Sequence, residues 1–85
     1  MAEIIVNPKE FSVIQMTGIE TLKFGGIGVC YSCNKGSFTH YYIAVLNQCY
    51  CQDCYFDWTK RAVNHKEDRV IEKNNFERIK RYFGL

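Results

Sequence analysis

Proline is nearly missing from this sequence, with Pro8 the single case among 85 residues. Aliphatic and aromatic residues are plentiful, so the composition excludes a Pro-rich or disordered chain and points to one folded domain, residues 1–85. No apolar run approaches the roughly 20 residues that span a bilayer, which removes the membrane as a partner. The opening MAEIIVNPKEF lacks a basic segment followed by an apolar one, so it does not read as a secretion signal. Repeats, low-complexity runs and linkers are also missing. The chain therefore reads as complete from Met1, soluble and cytoplasmic.

Charge of one sign is scarce too. The net charge is +2. Lys9 and Lys23 face Glu3, Glu10 and Glu20 in the first third, and Lys35 faces Asp53 in the middle. Residues 57–85 carry eight basic and five acidic side chains. That bias is too mild for a nucleic-acid-binding tail.

Cysteine is what the sequence has in excess. Five cysteines would leave one over in a disulfide framework, and in a reducing compartment a dense cysteine pattern points to a metal instead. Cys30-Tyr-Ser-Cys33 and Cys51-Gln-Asp-Cys54 form two Cys-x-x-Cys pairs with 17 residues between them. Each pair can aim two thiolates at one ion, and two pairs complete a tetrahedron if the intervening chain doubles back. Zn²⁺ suits four thiolates, being borderline-soft and redox-inert. Cys30, Cys33, Cys51 and Cys54 are thus the expected ligands of one structural zinc. A closed shell of this kind leaves no position for a catalytic water. Cys49, two residues before Cys51, reads as a small buried side chain of the strand that delivers the second pair, with a spare ligand or a redox-sensitive thiol as the alternative.

The rest of the chain supplies a coarse α+β outline. Residues 3–6 read as a strand. Asn7-Pro-Lys-Glu10 predicts a helix start, with Asn7 as N-cap and Pro8 at the first helical position. The following FSVIQM is ambiguous between helix and strand. Thr17-Gly-Ile-Glu20 predicts a second short helix through Leu22, and Gly25, Gly26 and Gly28 break the chain before the first cysteine. Residues 38–50 read as a β-hairpin bending at Asn47-Gln48. Helices are expected over about 52–63 and over 67–83. The second carries an apolar arc of Ile71, Phe76, Ile79, Tyr82 and Phe83, interrupted by Asp68, Glu72 and Asn75, and Gly84 stops it.

The knuckle Cys30-Tyr-Ser-Cys33-Asn-Lys-Gly36, the hairpin, and Cys51-Gln-Asp-Cys54 opening a helix together resemble a treble-clef zinc finger, the class that includes LIM and GATA-type domains. The resemblance covers about residues 29–63, leaving an N-terminal extension (1–28) and a C-terminal helix (64–85). GATA-type spacing implies DNA binding, but the Thr-x-x-Trp-Arg-Arg hairpin segment of that family is replaced here by the nearly uncharged FTHYYIAVL. The treble-clef nucleases of the His-Asn-His class imply an enzyme alternative, with His40 as base and Asn47 as orienter. The simpler reading puts His40 on the hairpin surface and His65 in the loop between helices.

Lys66, Arg69, Lys73 and Lys80 fall on one helical stripe with Glu77, which reads as a solvated face, with a phosphate-binding stripe as the alternative. The aromatics Tyr41, Tyr42, Tyr50, Tyr55, Phe56 and Trp58 read mainly as core around the metal unit. With no catalytic set and no small-molecule site, the expectation is a zinc-stabilised binding protein, not an enzyme, that recognises and occludes a protein partner. Nucleic acid is the alternative partner. In general character the chain resembles phage-encoded inhibitors of host defence, including zinc-binding anti-CRISPR proteins.

Overall fold

The computed structural model describes residues 2–24, 28–36 and 38–85. The Gly25-Gly26 part of the expected break lies outside the described residues. Four strands, β1 (Glu3–Ile5), β2 (Val13–Thr17), β3 (Thr39–Ile43) and β4 (Gln48–Cys51), form one antiparallel sheet in the order β1-β2-β3-β4. Among the described residues three α-helices accompany them: α1 (Gly18–Thr21), α2 (Gln52–Arg61) and α3 (Arg69–Phe83). The chain is a small α+β fold, and its N-terminal segment supplies two of the four strands.

Residues 7–10 do not start a helix as the sequence predicts. The Asn7 side chain accepts from the Lys9 N–H at 2.8 Å, its carbonyl accepts from the Glu10 N–H at 2.9 Å, and Glu10 sits at φ 65°. The result is a tight turn between β1 and β2. Asn7 is buried, and its amide donates to the Tyr55 hydroxyl of α2 at 2.8 Å, so the side chain is committed to tertiary contact. The ambiguous FSVIQM becomes strand because its β-branched residues find β3: Val13 lies opposite Ile43 and Ile14 opposite Tyr42. The Thr17 signal holds. Its hydroxyl accepts from the Glu20 N–H, while the Glu20 carboxylate accepts from the Thr17 N–H, a reciprocal cap on α1.

Strand alternation sorts the apolar side chains into two cores. Ile14, Met16, Tyr42 and Cys49 project to one face, where Ile79, Phe76 and Phe83 of α3 cover them. Val13, Tyr41 and Ile43 project to the other, against Phe11, Tyr55 and Trp58. Tyr41 and Tyr55 stack at 4.4 Å, so the aromatics after the second cysteine pair are largely the domain's own core. Phe56 is the exception, at 48% exposure. The hairpin turn falls one step earlier than expected, at Ala44–Asn47, with Asn47 closing it at φ 53° and Gln48 already in β4.

The face of α3 that docks is not the full apolar arc. Ile71 and Tyr82 are each 55% exposed, whereas Glu72 is buried. The polar interruptions are the anchors: the Ser12 N–H donates to Glu72 Oε2 at 2.8 Å, and the Asn75 amide donates to the Ala44 carbonyl at 2.9 Å. Hydrogen bonds to sheet ends place the helix, and Phe76, Ile79 and Phe83 then fill the space beneath it. Gly84, at φ 67°, ends the helix as predicted. Glu72→Ala, which orphans the Ser12 N–H and unseats the helix, is expected to cost about 1.5–3 kcal/mol by urea unfolding. An unchanged midpoint would remove Glu72 from that role.

Candidate metal centre

Three short segments deliver the four predicted ligands. In the knuckle, the Cys30 N–H donates to the Lys35 carbonyl (3.1 Å) and the Asn34 N–H to the Cys30 carbonyl (2.8 Å). Asn34 takes the left-handed conformation at φ 60°, a role that falls to asparagine when glycine is not present. The Tyr31 N–H donates to the Cys49 carbonyl at 3.0 Å, which fastens the knuckle along the outer edge of β4. Cys51 ends β4 and is the N-cap of α2, and Cys54 lies in the first turn of that helix.

The sulfurs of Cys30, Cys33, Cys51 and Cys54 all lie within 4.8 Å of one another. Cys33 and Cys51 Sγ are 3.7 Å apart. Zn–S bonds of about 2.3 Å arranged tetrahedrally place sulfurs about 3.8 Å apart, so the donor set fits zinc. The same separation is far beyond the roughly 2.05 Å of a disulfide. The four cysteines are positioned to bind a single metal ion, in keeping with one structural Zn²⁺ held by thiolates alone.

The local electrostatics favour a cation here. Burial pushes the Cys30 thiol up, but the backbone N–H groups of Cys51, Cys33 and Ser32 outweigh it and bring it to about 7. The Ser32 contact is 3.3 Å from the sulfur. Cys54, by contrast, is driven up to about 12, first by its hydrogen bond with the Cys51 thiol and then by burial. Four thiols this close cannot all ionise alone, and a divalent ion supplies the charge that lets them. The amino end of α2, partially positive, stabilises the thiolates of Cys51 and Cys54 and the net negative charge of a four-thiolate zinc centre.

Cys49 stands apart. It is 1% exposed in the core beneath α3, and burial followed by the Cys30 charge raises its thiol to about 12. It shares a sheet face with Cys51, but it packs as a neutral side chain in the hydrophobic cluster.

His40 is not on the hairpin surface. It is fully buried and pairs across the sheet with Cys51. Asn47 lies at the opposite end of the hairpin, where its side-chain oxygen accepts from the Tyr42 hydroxyl and from Arg78, each at 2.7 Å. The fold therefore does not bring a His40–Asn47 pair together. Strand alternation was the signal for the burial of His40, since it shares parity with Tyr42. His65 is exposed just before the 3-10 turn that precedes α3. Lys66, Arg69 and Lys73 are exposed, whereas Lys80 is half-buried, over the Phe76 ring at 5.0 Å and paired with Glu77 at 3.3 Å. Among the described residues no helix is long and apolar enough to cross a membrane.

We found no match for the chain among protein-family models, curated proteins or solved structures.

Elemental analysis of purified protein is expected to give one zinc per chain. Cys51→Ser should unfold it, because a structural zinc contributes about 10–16 kcal/mol, comparable with a domain's whole stability. Cys49→Ala should keep the zinc and cost about 1 kcal/mol, the scale of a small core truncation. A Cys49→Ala chain without zinc would overturn this ligand assignment.

Proposed function

We propose that this chain is a zinc-stapled, non-enzymatic binding protein that docks on a protein partner and occludes its surface. The observation that carries this reading is an exposed apolar patch beside the knuckle. Ile19, Leu22 and Phe38 are 79%, 57% and 85% exposed, and with Gly28 and Gly36 they line a cavity of about 310 Å³. Large apolar side chains gathered around a concavity lose favourable free energy in water and regain it against a partner. We read the knuckle, the β3–β4 hairpin and α2, residues 29–63, as a treble-clef unit.

The chemistry of the donor set supports a binding role over catalysis. A closed four-thiolate shell offers no open position to a substrate or water, and His40 is too deeply buried to act as a base on one. The nucleic-acid alternative has weaker support. Lys80 is spent on Glu77 and Phe76, and β3 presents Tyr41 and Tyr42 to the two cores. Four thiols that must stay reduced suit a cytoplasmic setting. Inhibition of a host nucleic-acid-processing complex, such as a CRISPR nuclease, is the form of occlusion that the resemblance to phage inhibitors suggests.

Affinity capture from the native cell with the wild-type chain and with Phe38→Asp tests the reading. Both should hold zinc, and only the wild type should retain a stoichiometric protein partner across about 50–200 mM salt, the range over which phosphate-dominated binding falls steeply. Retardation of duplex or single-stranded DNA at physiological salt, undiminished by Phe38→Asp, would contradict it.

A further inference from the structure

His40 poses a problem that the four-thiolate centre does not solve. Buried polar groups in folded proteins nearly always have a partner. His40 is fully buried, yet neither of its imidazole nitrogens has one, and no other side chain among the described residues shares that condition. Its place in the sheet says what could meet it. The register sets His40 directly opposite Cys51 on one side and Met16 on the other. Directly opposed residues point to the same face with Cβ atoms about 4.5–5.5 Å apart, so the imidazole leaves the sheet beside the Cys51 sulfur. Met16 offers it nothing better than a thioether.

Imidazole nitrogen is one of the donors that zinc prefers, and three thiolates with one imidazole make a common closed shell. His40 is thus a fifth candidate donor beside the centre, although its nitrogens are not among the ligand atoms that lie within 4.8 Å of one another, and a rotation of its side chain would have to bring one in. The four thiolates are not equivalent. Cys30 and Cys51 are buried, whereas Cys33 and Cys54 are half-buried. Cys54 neighbours Cys51 across the β4–α2 junction, so the position it would vacate adjoins the sulfur that His40 faces.

We propose that His40 is a reserve ligand of the metal centre, one that takes the place of Cys54 when that thiolate is withdrawn. In the exchange the thiolate leaves with its electron pair and neutral imidazole donates its own lone pair. The ion keeps its oxidation state, and the centre loses one of its two negative charges. The shell stays closed, and the imidazole gains the partner it lacks in the four-thiolate form. The inference rests on the metal centre and is independent of any partner protein.

The test uses the full chain with Zn²⁺ and with Co²⁺ as a spectroscopic probe. Cys54→Ala should still bind one metal per chain, and its ¹⁵N-labelled His40 should show a metal-bound nitrogen shift that the wild-type chain does not. Adding His40→Ala to Cys54→Ala should weaken zinc binding by about tenfold to a hundredfold or more, the scale of a lost contact at a metal. His40→Ala alone should leave the stoichiometry unchanged. The proposal is overturned if Cys54→Ala loses its metal, or if its His40 nitrogen shifts do not move on loading. The nitrogen spectrum decides the matter even where the double variant fails to fold. A wild-type chain that takes up no zinc would remove the centre itself, a distinguishable failure.

Discussion

The convergence of four sulfurs on one point is the constraint from which most of this structure follows. Cys30 and Cys33 belong to a knuckle, Cys51 to a strand end and Cys54 to a helix start. Bringing them within 4.8 Å of one another closes the 17 residues between the pairs, and β3 and β4 are how those residues double back. The same convergence fixes where α2 begins, because Cys51 must be both the last residue of β4 and the cap of the helix. A chain of this size gains only marginal stability from its core, so an ion that closes a long loop has a large effect. Backbone N–H groups already favour the thiolate form of Cys30, while Cys54 resists ionisation. The site is prepared for positive charge.

From that anchor the sheet carries order to the ends of the chain. β3 pairs with β4 on one side and with β2 on the other, and β2 pairs with β1. Alternation along β2 and β3 builds two cores from one sheet, one closed by α2 and one by α3. The N-terminal segment and the C-terminal helix are thereby part of the same packing problem as the metal unit. Asn7 reaches α2 through Tyr55, and Ser12 reaches α3 through Glu72. Cys49 sits where the two demands meet: its carbonyl holds the knuckle and its thiol fills the core beneath α3.

The metal centre was legible in the sequence because thiolate spacing is a local, discrete signal. The Thr17 capping box and the Gly84 stop were legible for the same reason, since each is settled within a few residues. What could not be read depended on distant partners. Asn7 followed by Pro8 looks like a helix start until Tyr55 claims the asparagine side chain. Ile71 and Tyr82 belong to the apolar arc of α3 by periodicity, but the hydrogen bonds of Glu72 and Asn75 rotate that arc so that both are exposed. His40 looked like a surface residue because a polar side chain in a hairpin usually is one. Its parity with Tyr42 carried the opposite message.

The central claim is that zinc, and not the cores alone, holds β3, β4, the knuckle and α2 together. Amide hydrogen exchange before and after zinc is removed by a chelator, with thiols kept reduced, tests this most directly. The account predicts that the amides of Asn34, Tyr31 and the first turns of α2 lose protection at once, and that β3 and β4 follow as the domain unfolds. Protection unchanged across the chain after complete removal of zinc would contradict it.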